Sequence, residues 1–163
     1  MARNAFYSFF FREDAWRASK VRNMGVVEGN KPAEDNDWET VLKDGDDAIR
    51  DWIDKQLEGR SVAIVLIGAN TADREWVMYE IKKAWTEGLG VLGIRVHNLA
   101  DEAGKQSEPG EDPFDKVSLG GKKLSSIVMT YDPPGSDSQL VYNYIKDNLA
   151  GWIEVAIKLR DAH

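Results

Sequence analysis

Residues 61–95 read SVAIVLIGANTADREWVMYEIKKAWTEGLGVLGIR, and two apolar runs inside that stretch limit the fold more than anything else in the chain. Val62 to Ile67 and Val91 to Val96 are rich in β-branched residues and are apolar nearly throughout, without alternation. A strand that alternates can leave one face in water, whereas a strand apolar on both faces has to be covered on both. Between the runs lies a helix-length segment, about Asp73 to Glu87, entered through Gly68-Ala69-Asn70-Thr71 and left through Gly88 and Gly90. That order predicts a βαβ unit: parallel strands joined by a right-handed crossover.

The connecting helix carries its own pattern. Val77, Ile81, Ala84 and Trp85 fall at the i, i+4, i+7, i+8 spacing of a buried stripe. At ~100° per residue, Glu80 borders that stripe. Trp76 is one turn earlier on the same side, so an indole and a carboxylate share a ledge. The ledge falls in the first two turns, near the carboxyl end of the preceding strand, where open α/β sheets bind ligands. Glu80 is therefore a candidate functional carboxylate. On spacing alone the plain alternative is a solvated face with Glu80 paired to Lys83.

The rest of the chain supplies matching parts. Asn4 to Phe11 (NAFYSFFF) reads as the first strand, placed centrally, with Ser8 its one small polar residue. Ser8 and the following Phe9 to Arg12 would then open a ligand-facing loop; a Ser8 hydroxyl bonded to its own backbone is the alternative. Glu13 to Met24 reads as a short helix made basic by Arg17, Lys20 and Arg22, either as a solvated face or as a cation source for an anionic ligand. Gly25 to Gly45 is a long polar loop in which Trp38 is either a lid on the core or a stacking surface. Asp46 to Glu58 is an amphipathic helix striped by Ile49, Trp52, Ile53 and Leu57.

His97 to Gly121 is a polar, Gly/Pro-rich excursion, expected to be partly disordered in isolation, with His97 an exposed turn histidine or, as the alternative just after a strand, an acid/base group. Ser125 to Tyr131 is a fourth apolar run, stopped by Asp132-Pro133-Pro134-Gly135. A long helix follows, about Ser138 to Arg160. Four strands, each followed by helix or loop, predict a three-layer α/β sandwich of flavodoxin-like type with a central, mostly parallel sheet, as one domain over residues 1–163.

Composition removes several functions. Cysteine is absent, which excludes disulfides, thiolate catalysis and zinc–thiolate sites. Net charge is −7 with no long Lys/Arg cluster, which disfavours nucleic acid. No apolar stretch reaches the ~20 residues of a membrane span, and no leader pattern opens the chain, so a cytoplasmic protein is expected. There is no G-x-G-x-x-G after the first strand and no P-loop, and no closely spaced His/Asp/Glu set reads as a metal site.

Asp73-Arg74-Glu75-Trp76-Val77-Met78-Tyr79-Glu80-Ile81 resembles the Trp-x-x-x-Glu helix of TIR domains, and the following Gly-x-x-Val-x-x-Ile strand fits too. Phe6-Tyr7-Ser8-Phe9, Val21-Arg22-Asn23 and Trp38-Glu39 more specifically resemble the TIR-like proteins of the Thoeris bacterial anti-phage system. The likeness covers most of residues 3 to 131. It implies a TIR-like enzyme that cleaves NAD at the nicotinamide–ribose bond, as an NAD nucleosidase or ADP-ribosyl cyclase, and makes an ADP-ribose-derived signal read by a downstream effector protein.

By the same resemblance NAD is substrate, no resident cofactor is needed, and Glu80 is the catalytic residue. Ser8, Phe9, Arg12, Arg22, Trp38 and Trp76 would contact the substrate, with Arg22 at the pyrophosphate. Self-association is implied as well, although the Gly/Pro-rich assembly loop usual after the first helix has no clean counterpart in Gly25 to Gly45. The alternatives are a non-catalytic TIR-like module acting by protein–protein association, and a glycoside enzyme of the nucleoside deoxyribosyltransferase kind.

Overall fold

The computed structural model describes residues 3–26, 28–29 and 43–163. Among these the chain runs β1 (Asn4–Ser8), α1 (Phe11–Arg22), β2 (Glu28–Gly29), α2 (Asp46–Leu57), β3 (Val62–Ile67), α3 (Glu75–Thr86), β4 (Gly90–Arg95), β5 (Ser118–Leu119), β6 (Lys122–Lys123), β7 (Thr130–Tyr131) and α4 (Ser138–Asp161). One parallel sheet has the order β2-β1-β3-β4-β7, and β5 and β6 form a separate antiparallel ribbon. Counting only the parallel strands, this is the 2-1-3-4-5 order of doubly wound flavodoxin-like sheets.

The register explains the apolar runs. Val62 to Val65 face Ala5 to Ser8 on one side, and Val62 to Ile67 face Gly90 to Arg95 on the other. Alternate side chains then enter two separate cores. Ala5, Tyr7, Val62, Ile64, Leu66, Leu92 and Ile94 pack under α1 and α4. Phe6, Ala63, Val65, Ile67 and Val91 pack under α2 and α3. All six residues of β3 are buried, which is why an alternating sequence could not have filled this position.

Helix α3 has the predicted stripe, with Val77, Ile81 and Ala84 buried. It ends in a Schellman motif, in which Gly88 N–H donates to Trp85 O and Leu89 N–H to Ala84 O. Gly88 sits at φ 86°, a conformation a side chain would strain.

Several boundaries differ from expectation. The first strand stops at Ser8, where its pairing with β3 ends, and Phe11 already belongs to α1. Phe10 caps that helix through its backbone, so the β propensity of the aromatics is overridden by a tight strand-to-helix turn. β1 is flanked on both edges, but β3 is the middle strand. Within Gly25 to Gly45, Glu28 and Gly29 pair with Asn4 and Ala5 as a short edge strand; no residue pattern marked them, because the pairing is imposed by β1. Of the fourth run only Thr130 and Tyr131 pair, opposite Gly93 and Ile94. Leu124 and Val128 use their apolar character to enter the α2/α3 core instead.

The 97–121 excursion is ordered. Phe114 and Val117 anchor it in the same core, and Ser107 N–H donates to His97 O at 2.8 Å. The Arg95 guanidinium donates to Gly110 O and ties it to the end of β4. Gly110 lies on the end of β3, so close that a Cβ there would meet Gly68 O.

Helix α4 crosses β4 with no room to spare. A Cβ at Gly90 would fall 2.8 Å from Ile157 N and 2.9 Å from Ala156 C, both backbone atoms that cannot rotate away. Gly90→Ala should therefore cost about 1–3 kcal/mol. Urea unfolding checks this: the midpoint should fall with the slope unchanged.

Candidate active site

The order of the sheet reverses between β1 and β3, so the carboxyl ends of these two strands border a crevice. Ser8 is the last residue of β1. It follows the alternation of its strand, so it lies on the Phe6 side, toward α3. Glu80 is on α3 beside Ile81. Ser8 Oγ donates to Glu80 Oε1 at 3.3 Å, and both groups are buried, at 1% and 8% exposure.

A carboxyl group in this layer has lost its water. Burial pushes the Glu80 pKa up to about 8, and the Ser8 hydrogen bond pulls weakly the other way. The group thus rests largely protonated at neutral pH and ionises only at a cost, an arrangement typical of functional sites.

The other expected residues are distributed unevenly. Trp76, in the first turn of α3, is half-buried; it meets Tyr79 edge-on at 5.8 Å, and the Arg50 guanidinium of α2 lies 5.7 Å from its ring centre. Phe9 follows Ser8 but turns its ring into the α1/α4 layer, 6.2 Å from Phe11. Arg12 is exposed in the first turn of α1, on the Ser8 edge of the sheet. Arg22 is in the last turn of that helix, about 16 Å along its axis and in the opposite layer from Glu80. The structure does not bring Arg22 and Glu80 together. Trp38 lies outside the described residues.

Two further expectations are corrected. Arg17 is neither solvated nor free for an anionic ligand. It is buried, pairs with Asp14 at 2.8 Å, and donates to Leu99 O and Lys105 O. It holds the excursion down on α1. His97 is buried at the end of β4 rather than exposed, and loss of water holds its pKa below the usual value.

Two features of the crevice are not legible in the sequence pattern. Asp14 rests on Gly68 at the end of β3, where any Cβ would collide with its carboxylate. Burial raises the Asp14 pKa although Arg17 opposes it. Across the crevice Arg74, at the N-terminus of α3, lies 4.4 Å from the centre of the Phe10 ring. The acidic pair Glu13-Asp14, just after the aromatic run, was the one signal available for the first; the Arg74–Phe10 contact left none, since 64 positions separate its members. A cavity of about 480 Å³ between the ends of α2 and α3, lined by Asp54, Leu57, Arg60, Lys83, Glu87 and Leu89, includes neither Ser8 nor Glu80. The buried carboxyl and its hydroxyl partner, rather than this cavity, form the candidate site, because chemistry needs a reactive group and not volume alone.

Burial of Glu80 has a stability consequence. The unfolded chain releases this proton near its ordinary value of 4.5, the folded protein only near about 8. Between those values only the folded state holds the proton, so stability falls as pH rises through the window and levels off above it. Glu80→Gln should remove that slope. Above pH 8 it should stabilise the protein by a few kcal/mol, since a tenfold change in proton affinity is about 1.4 kcal/mol. Urea midpoints of the two proteins, well separated at high pH, should converge near pH 4.5.

The model of the family described as "Thoeris protein ThsB, TIR-like domain" matches residues 6–101, which include Ser8 and Glu80. A protein of Bacillus cereus (strain MSX-D12), named "Putative cyclic ADP-D-ribose synthase ThsB1", is 35% identical over 133 residues, covering 76% of this chain and 69% of that protein. The doubly wound parallel sheet agrees with both matches, and the chain belongs to the ThsB TIR-like family of the Thoeris system.

Proposed function

We propose that this protein cleaves NAD at the nicotinamide–ribose bond and converts the ADP-ribosyl part into a cyclic or otherwise ADP-ribose-derived signal in anti-phage defence. The observation that carries the reading is the Glu80 carboxyl, buried in an apolar layer at the switch point of the sheet with the Ser8 hydroxyl against it. The name of the Bacillus relative supports the substrate class.

The chemistry asks for one well-placed negative charge. As the C1′–N bond breaks, its electron pair goes to the nicotinamide nitrogen and the positive charge moves to the ribose. A fixed carboxylate beside the sugar favours that displacement. At 4 Å and an effective dielectric constant near 20 the attraction is about 4 kcal/mol, several times its value in water. A resting pKa of about 8 leaves Glu80 largely protonated at neutral pH, and the cationic nicotinamide ring would draw out its ionised form. Contacts to the ribose hydroxyls would hold the sugar for attack by an internal or external nucleophile.

Trp76 offers an aromatic edge one turn from Glu80, and Trp38 is a second stacking candidate. Arg12, exposed on the Ser8 edge, suits the pyrophosphate better than Arg22 at the far end of the same helix. Phe9 would shape the crevice from the opposite layer. NAD is then consumed as substrate and no resident cofactor is required. The product would act on a downstream effector protein, self-association would complete the assembly, and the cytoplasm, where NAD resides, is the expected compartment. No helix among the described residues is long and apolar enough to cross a membrane.

Incubation with NAD, with nicotinamide followed by chromatography and the second product by mass spectrometry, tests the proposal. Glu80→Gln should lower turnover by at least about 100-fold while the domain stays folded. The rate should climb from pH 6, pass half its maximum near about pH 8 and flatten above about pH 9, because the ionised carboxylate is the active form. A Glu80→Gln protein with full turnover overturns the assignment and favours an association module.

A further inference from the structure

Ser8 stands where the pattern of its strand calls for an apolar side chain. Phe6, two residues earlier on the same face, is buried in the α2/α3 core, as are Ala63, Val65 and Ile67 on the neighbouring strand. A hydroxyl in that layer loses its water and needs a partner. The partner is Glu80 Oε1, 72 positions away in sequence.

Among the described residues no other group is seen to take the place of Ser8. On α3 itself, Tyr79 donates to Asp54 of α2, and Lys83 pairs with Glu87. From α2, Arg50 lies over Trp76 and pairs with Asp47. In the turn leading to α3, Asp73 is held by Lys116 and Arg74 lies over Phe10. Burial raises the proton affinity of Glu80 and the Ser8 hydrogen bond opposes it. Among the described residues no cation neutralises this carboxylate.

We propose that Ser8 is a positioning residue for Glu80: its hydroxyl donates to the carboxylate, fixes the side chain at the switch point, and offsets part of the cost of holding a negative charge there. The inference rests on the reading of Glu80 as the working carboxylate. The direction follows from hydrogen-bond strength. A hydroxyl bonds to an ionised carboxylate about twice as strongly as to a neutral acid, so Ser8 favours the charged form. Without it the carboxyl would keep its proton to higher pH and lose its fixed rotamer.

The test uses the full chain, with Ser8→Ala and the hydroxyl-preserving Ser8→Thr. One readout needs no turnover: the Glu80 carboxyl carbon is followed by 13C NMR against pH, with Glu80→Gln assigning the resonance. Ser8→Ala should move its titration upward by about one pH unit, a tenfold change in proton affinity. Ser8→Thr should restore the wild-type curve. The second readout is the pH–rate profile with NAD. Ser8→Ala should lower kcat at pH 7 about tenfold, recover part of the loss by pH 9, and change KM less than kcat.

An unmoved titration in a folded Ser8→Ala protein overturns the inference. So does a loss of kcat of the same size at every pH. A shifted titration in a chain that releases no nicotinamide would uphold the role of Ser8 and overturn the catalytic reading of Glu80.

Discussion

Val62–Ile67 is paired on both edges and covered on both faces, so neither its backbone nor its side chains have access to water. A strand in that position leaves little freedom to its neighbours. β1 and β4 must run parallel to it to complete its hydrogen bonds, and helices must lie on either side to cover its two rows of side chains. The crossover through α3 follows, because a parallel return needs a long connection. The reversal of strand order between β1 and β3 is a product of the same constraint: β1 sends its chain into the α1/α4 layer, while β3 sends its own into the α2/α3 layer.

That reversal is where the protein places its costly group. An interior of Val, Ile and Ala gains nothing from a carboxylic acid, and the raised proton affinity of Glu80 measures the penalty. A purely structural role would favour an apolar side chain at position 80. The Ser8 hydroxyl lies against the Glu80 carboxyl, donating to Oε1 at 3.3 Å. Stability and proposed activity therefore pull against each other at one residue, a common condition of active sites.

Around the crevice the structure is stiffened by polar contacts that no amphipathic pattern describes. Arg17 joins α1 to the backbone at Leu99 and Lys105, and Arg95 joins β4 to Gly110. Asp14 and Gly110 both press against the turn at Gly68. A segment composed like a disordered linker thus becomes a fixed cover over the ends of β3 and β4, because the buried guanidinium of Arg17 and the half-buried one of Arg95 give its carbonyls partners that composition cannot reveal.

The sequence by itself determined the βαβ core, the buried stripe of α3, the long final helix and the placement of Glu80 near the end of a strand. These rest on local periodicity, which reflects only whether a face meets water or protein. It also carried enough motif order to mark the family. The tertiary structure alone decided that β1 stops at Ser8, that Glu28 and Gly29 form an edge strand, that Arg17 is a tie rather than a ligand contact, and that His97 is buried. It alone brought Ser8 to Glu80 and separated Arg22 from them. Each of these depends on contacts between segments far apart in the chain, and whether a polar side chain there meets water, an ion or a carbonyl is set by the segment packed against it.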